Sequence, residues 1–432
     1  MRRSIPAILV VVALVFAACS SGGGASASPA GGGASPGAST PAATSAGGSS
    51  FDPASISGTV NFTGWQASPE EGAALNKALD GFKAKFPNVK VNFQTISGDY
   101  ASAMAAKFSA HQPPDVFYVN AEVAPDWINQ GLLAPLDDWS SQRGFDTSQF
   151  YPGYLNAFKG TDGKIYGFPK DGNTIAMAYN SDLLTAAGIT TPPATWDDLL
   201  AAAPKLSAGG KKAFCLSSTL DRALAFIYQG GGGLLSDDKK ASAIDSDASK
   251  AAIKWYLDLF KNGWGARPVD LGDDWCGKAL GEGKVAMVFE GGWLDPFMKS
   301  QYPKIKYAWA GMPKGQQQAT LGFTVSYSIG TDSANKDAAW VLLTYLTGPD
   351  GMKIWTEGGV ANPSRKDVTP AAGKEILVKG SDYAKPWSFI PGFSKINEAF
   401  NNAMTAAIEK KSDDPTDVSA KTKAAIDSAL NQ

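Results

Sequence analysis

Histidine is almost missing from this chain. His111 is the single one in 432 residues, which leaves nothing from which to build a His-rich metal site or a His-centred nucleophilic triad. Excess charge of either sign is missing too: 39 basic side chains stand against 41 acidic ones, for a net charge of −2. Nucleic-acid binders draw most of their affinity from clustered Lys and Arg on phosphates, so this balance argues against that class. Cysteine is scarce, at three residues. No apolar run is long enough to cross a bilayer as a stable helix. No internal repeat of ~20–50 residues is visible, which excludes solenoids and propellers. Gly230–Gly233 lacks the following Lys-Ser/Thr of a phosphate loop. The acidic pairs Asp237-Asp238 and Asp273-Asp274 lack the alternating ligands and terminal Glu of a calcium loop. Neither cofactor, metal nor catalytic residue is therefore expected. What is present is a large apolar payload, 44% hydrophobic, with 12 Trp, 13 Tyr and 21 Phe. That is enough for a core and an aromatic-lined pocket. At ~100–200 residues per domain, the length predicts two domains or one large one.

The N-terminus reads as an address. Arg2 and Arg3 form a positive segment, and Ile8 to Phe16 an apolar one. Leu14-Val15-Phe16-Ala17-Ala18-Cys19 resembles the bacterial lipobox, in which the Cys is acylated and becomes the new N-terminus. Phe16 stands where that motif usually has Leu. Residues 1–18 are thus expected to be a signal peptide. Residues 19–50 follow as a lipidated Cys19 and a tether of Ser, Gly, Ala, Thr and Pro, too poor in apolar groups to order itself. Such a chain is exported and held at the outer face of a membrane, or in the periplasm. Only Cys215 and Cys276 then remain, and in an oxidising compartment they are expected to pair. Two buried free thiols are the alternative.

From Thr59 onward, strand and helix patterns alternate. TVNFT at 59–63 reads as a strand. Ser68-Pro69-Glu70-Glu71 opens a helix with Leu75, Leu79, Phe82 and Phe86 on one face. Strands follow at Val89–Phe93 and Asp115–Val119, with helices at Ala101–Phe108 and Glu122–Gln130. This order predicts an α/β lobe with a largely parallel sheet, whose ligands sit beyond the carboxyl ends of the strands. A second pattern runs through a strand at Ile175–Tyr179, a capping box at Thr195–Asp198, a helix at Asp247–Lys261 and a strand at Lys284–Glu290. Leu321–Ile329 reads as one strand, Asn335–Leu346 as a helix, and Lys395–Leu430 as wholly helical.

Four ordered stretches carry a family resemblance. They are Asp115–Asn120 with Trp127 and Gly131–Leu136; Gly163–Pro169 running on to Tyr179-Asn180 and Pro193–Leu199; Gly283–Met287 with Gly291-Gly292-Trp293; and Gly322 through Ala338-Ala339-Trp340 to Pro363-Ser364-Arg365. Together they resemble the extracellular solute-binding proteins of bacterial ABC transporters, in the maltose-binding branch. The resemblance implies a two-lobed α/β fold of periplasmic-binding-protein type, with discontinuous lobes and a central ligand cleft. One lobe would comprise 56–170 plus 320–356, the other 173–319 plus 358–432. The crossings would lie near 171–173, 320 and 357–359, where hinge closure around the ligand is expected. It further implies a monomeric, lipid-anchored receptor that hands a sugar or oligosaccharide to permease subunits, with no chemistry of its own.

Sugars offer C–H faces to aromatic rings and hydroxyl edges to carboxylates, amides and Arg. Trp293 follows a buried strand and two glycines, where the family places a stacking aromatic; a core Trp is the alternative. Trp65 occupies the first strand–helix loop, or packs on the lobe. Asn120 and Glu122 follow a sheet strand, where Glu122 is equally a helix-start acid. Asp171 and Asn173 sit at the expected crossing, or serve turn chemistry. Glu290 adjoins the Gly-Gly-Trp turn. Asp221 and Arg222 follow a strand end, or begin a solvated helix. Phe323, with Trp387, is a weaker aromatic candidate. The same fold binding a polyamine would need several carboxylates and an aromatic box. A secreted glycoside hydrolase would need two carboxylates across the scissile bond, for which Glu290 and Asp171 are the available pair.

Overall fold

The structure is a computed structural model and describes residues 51–431 other than 67, 360 and 388. The expected signal peptide, Cys19 and the tether lie outside the described residues. Among the described residues no helix is long and apolar enough to cross a membrane.

The first sheet has five strands in the order Val89–Thr95, Gly58–Gly64, Val116–Asn120, Val325–Ile329 and Phe168–Pro169. Helix Pro69–Lys85 links the first two strands in chain order. Its start is chemically marked: the Ser68 side chain accepts from the Glu71 amide, Pro69 opens the helix, and Glu70 and Glu71 face the positive end of its dipole. Leu75, Ala78 and Phe82 then turn inward onto Val60, Phe62 and Leu342, forming a continuous apolar core. The sheet is less parallel than the sequence predicts. Gly58–Gly64 pairs in parallel with both its neighbours, whereas Val325–Ile329 pairs antiparallel with both of its own. These last strands carry the chain out of and back into this lobe, so they run against the local βαβ direction.

The second sheet runs Tyr307–Ala310, Ala176–Asn180, Val285–Glu290, Lys212–Cys215 and Gly265–Ala266. Every residue of its central strand, Val285–Glu290, is buried, as a strand covered on both faces requires. A separate core surrounds it, built from Met177, Phe214, Phe226, Tyr256, Met287 and Phe289 among others. Cys215 and Cys276 form a disulfide, Cα to Cα 5.4 Å, tying this sheet to helix Cys276–Gly281. The fold is therefore a two-lobed α/β structure.

A small third sheet joins the lobes: Ala384–Pro386, Thr320–Phe323 and Asn173–Thr174. Here the sequence reading needs correction. The single strand expected over Leu321–Ile329 is two strands, Thr320–Phe323 and Val325–Ile329, belonging to different sheets. The break falls at Thr324, whose hydroxyl donates to the Asp171 carbonyl at 2.6 Å and binds two crossing segments together. Alternation of apolar residues runs through both pieces, so the pattern hides the switch. Gly172 lies in the other segment, and a Cβ there would collide with the ring of Tyr154; close approach, rather than backbone freedom, requires the glycine. Ala361 and Val368, beyond the return crossing expected from sequence, pack in the first core. The C-terminal stretch is also not continuous: helices Phe393–Glu409 and Thr416–Leu430 are separated by a turn with Lys411 at φ 53° and Pro415.

Candidate ligand-binding cleft

A cavity of about 350 Å³ is lined by Asn120, Ala121, Glu122, Asp171, Asn173, Asp221, Phe323, Thr324, Val325, Trp387 and Asn397. Its walls come from the end of a first-lobe strand, from two crossing segments, and from the start of second-lobe helix Leu220–Gln229. The first-lobe wall exists because the helix expected over Glu122–Gln130 starts only at Ala124. The Asn120 side chain accepts from the Glu122 amide at 3.0 Å, and the Val123 amide bonds the Asn120 carbonyl at 3.1 Å. This local turn competes with helix and leaves Glu122 on a loop beside the cavity.

Six of the ten ligand residues expected from sequence meet here: Asn120, Glu122, Asp171, Asn173, Asp221 and Phe323. The other four do not line the cavity. Glu290, Arg222 and Trp293 interlock beside it instead. Arg222 reaches Asp221 Oδ2 at 2.7 Å and Glu290 Oε2 at 2.8 Å, and its guanidinium lies 5.3 Å from the Trp293 ring centre. Trp293 Nε1 donates to the same Glu290 oxygen at 2.9 Å. Burial opposes the Arg222 charge, but Glu290 and Asp221 outweigh it and raise the Arg222 pKa. Gly291 is glycine because the Trp293 ring lies against it. Trp293 touches the cavity wall indirectly, edge-on to Phe323 with ring centres 6.0 Å apart. Trp65 is half-buried and packs edge-on to Tyr100 and Tyr118 at 4.8 and 5.0 Å, on the first-lobe core.

The aromatic wall is formed by Phe323 and Trp387, with ring centres 5.7 Å apart. Trp387, a weaker candidate in the sequence, is backed by Phe389 and Phe393 at 5.2 Å each, which fixes its plane. Glu122 titrates above the usual carboxylate range. Burial is the main cause and repulsion from Asp221 adds to it, while a hydrogen bond with Trp387 opposes both. Glu122 and Asp221 belong to different lobes, so that repulsion acts across the cleft.

Beneath the cavity lies a buried ion cluster. Lys170 is 3% exposed. Its ammonium is 2.6 Å from Asp171 Oδ2 and 3.6 Å from Glu71, and it sits 4.1 Å from the Trp355 ring centre and 5.1 Å from that of Tyr118. Trp355 Nε1 also donates to Asp171 Oδ2 at 3.3 Å. Asp171 is thereby held at the crossing by two donors on one oxygen. Asn173 is held by the Asn362 amide at 3.2 Å. Lys170 and Asn397 are among the contributors that escaped the sequence reading. Lys170 carries no signal beyond adjacency to Asp171. Asn397 is one polar residue on an amphipathic C-terminal helix, and only the fold shows that its Oδ1 is buried beside the cavity without a partner.

Comparison with known proteins agrees with this architecture. The family model for bacterial extracellular solute-binding proteins matches residues 66–353. A binding-protein relative from Brucella abortus is 27% identical, covering 80% of this chain and 87% of its own. The sugar-binding protein MalE of Xanthomonas citri superposes with a TM-score of 0.77 at 20% identity, over 87% of this chain and 98% of that one. An ABC substrate-binding protein of Listeria monocytogenes, solved in complex with cycloalternan, superposes with a TM-score of 0.73 at 23% identity, over 87% and 100%. With the two lobes, the crossing strands and the cavity between them, this chain belongs to the bacterial extracellular solute-binding protein family.

Proposed function

We propose that the protein captures a carbohydrate in the cleft between its lobes and delivers it to the permease of an ABC transporter. The observation that carries this reading is the cavity wall itself. Phe323 and Trp387 offer flat apolar faces, and amides and carboxylates surround them from both lobes. That combination suits the C–H faces and hydroxyl edges of a sugar ring. The likeness to the sugar-binding protein MalE of Xanthomonas citri supports the same ligand class. On this reading the lobes move as bodies about the crossings, and ligand favours closure in proportion to how much better it bridges Glu122 and Asp221 than water does. Acylation at Cys19 and the tether to residue 50 would keep a monomeric receptor at the outer membrane face, within reach of its permease. The Glu290–Asp171 hydrolase pair has no support in the geometry: Glu290 is engaged by Arg222 and Trp293 and does not line the cavity.

The test is a thermal-shift screen against mono- and oligosaccharides, amino acids and polyamines, with product analysis by mass spectrometry. A ligand at 100 times its dissociation constant adds roughly 2.7 kcal/mol. A shift with glycosides and no product is expected. Shifts confined to amino acids or polyamines would overturn the carbohydrate, and fragments accumulating from an oligosaccharide would overturn the receptor.

A further inference from the structure

The cleft is rich in acceptors and poor in free cations. Glu122, Asp171 and Asp221 line the cavity, and among the described residues no Lys or Arg does. The two cations that pair with these acids are each shared with a second carboxylate. Arg222 is shared between Asp221 and Glu290, and Lys170 between Asp171 and Glu71. The cavity acids and their partners thus comprise five carboxylates and two cations. Acceptor atoms without a donor include two beside the cavity. Asp171 is 8% exposed, and both hydrogen bonds to its carboxylate fall on Oδ2, which leaves Oδ1. Asn397 Oδ1 is buried beside the cavity without a donor. A ligand can supply the donor that acceptors of this kind lack.

Deepening the carbohydrate reading, and resting on it, we infer that the cleft selects a glycoside carrying a protonated amine over its neutral counterpart, and excludes phosphorylated ones. An ammonium between Glu122 and Asp221 relieves their mutual repulsion across the cleft, so it stabilises the closed form through charge as well as contact. A neutral glycoside satisfies the acceptors with hydroxyls and leaves the negative charge in place. A phosphate adds to that charge and, among the described residues, finds no cation lining the cavity. Phe323 and Trp387 contribute the apolar face for either ligand, and Trp387 also favours a cation near its ring.

The experiment is calorimetric titration of the protein with fully deacetylated and fully N-acetylated chito-oligosaccharides of equal length. Malto- and cello-oligosaccharides, spermidine and glycerol 3-phosphate complete the panel. The amine-bearing oligosaccharide is expected to bind at least about tenfold more tightly than its acetylated twin, with an affinity that falls as salt rises. Glu122→Gln and Asp221→Asn should each shrink that ratio. If Asp221→Asn releases Arg222 and destabilises the fold, Glu122→Gln alone carries the test. A neutral or phosphorylated glycoside binding as tightly as its amine-bearing counterpart overturns the inference and leaves the carbohydrate reading intact. A response to spermidine with none to any glycoside removes the carbohydrate reading and the inference that rests on it. Failure of every amine-bearing probe to bind overturns the inference.

Discussion

Replacing Lys170 with Met tests the electrostatics of the crossing. The ammonium is buried, 2.6 Å from Asp171 and 3.6 Å from Glu71, and lies over Trp355. Met fills most of the same volume and keeps contact with the ring, so the main change is loss of charge. Breaking a buried pair from one side costs about 3–5 kcal/mol, because the remaining charge stays desolvated. Unfolding entropy of ~2.1 cal/mol/K per residue, over roughly 380 residues, is about 0.8 kcal/mol/K. Lys170→Met should therefore lower the melting temperature by about 4–6 °C if both lobes unfold together. Urea denaturation of both proteins reads this directly. A deficit under about 1 kcal/mol would refute the electrostatic account of the cluster.

Other expectations follow from the same structure. The disulfide closes a loop of 61 residues, which the chain-entropy model equates to about 4 kcal/mol, so reductant should lower the melting temperature. Equal melting temperatures, with mass spectrometry confirming full reduction, would count against it. Trp387→Ala should weaken ligand binding by at least about 1 kcal/mol, and Trp293→Ala by less, because Trp293 acts through Phe323. Titration calorimetry giving the reverse order would move Trp293 to the ligand. Glu122 is raised by burial and then by Asp221, so its contribution to stability grows as pH falls through its folded range. Glu122→Gln should raise the melting temperature of the unliganded protein at neutral pH, and the gain should disappear as pH falls into the ordinary carboxylate range. A gain that persists at low pH would assign it to packing.

Features set by local chemistry were legible in the sequence. Ser68-Pro69-Glu70-Glu71 and Thr195–Asp198 each fix a helix start within a few residues, and the helix over 247–261 follows from its spacing alone. The disulfide followed from compartment and count. Features set by distant partners were not legible. The strand break at Thr324 depends on the Asp171 carbonyl, 153 positions away in sequence. Trp293 stands where a strand, two glycines and a ring suggest a stacking platform, yet its direction is decided by Glu290 and Arg222. Asn397 gives no local sign of its role, because the C-terminal helices reach the cleft only in the folded chain.

The most direct measurement is a crystal structure of the protein with the glycoside that gives the largest thermal shift. The ligand should lie in the cavity against Phe323 and Trp387, bonded to Glu122 on one lobe and Asp221 on the other. A ligand bound outside that cavity, or touching only one lobe, would contradict capture between the lobes.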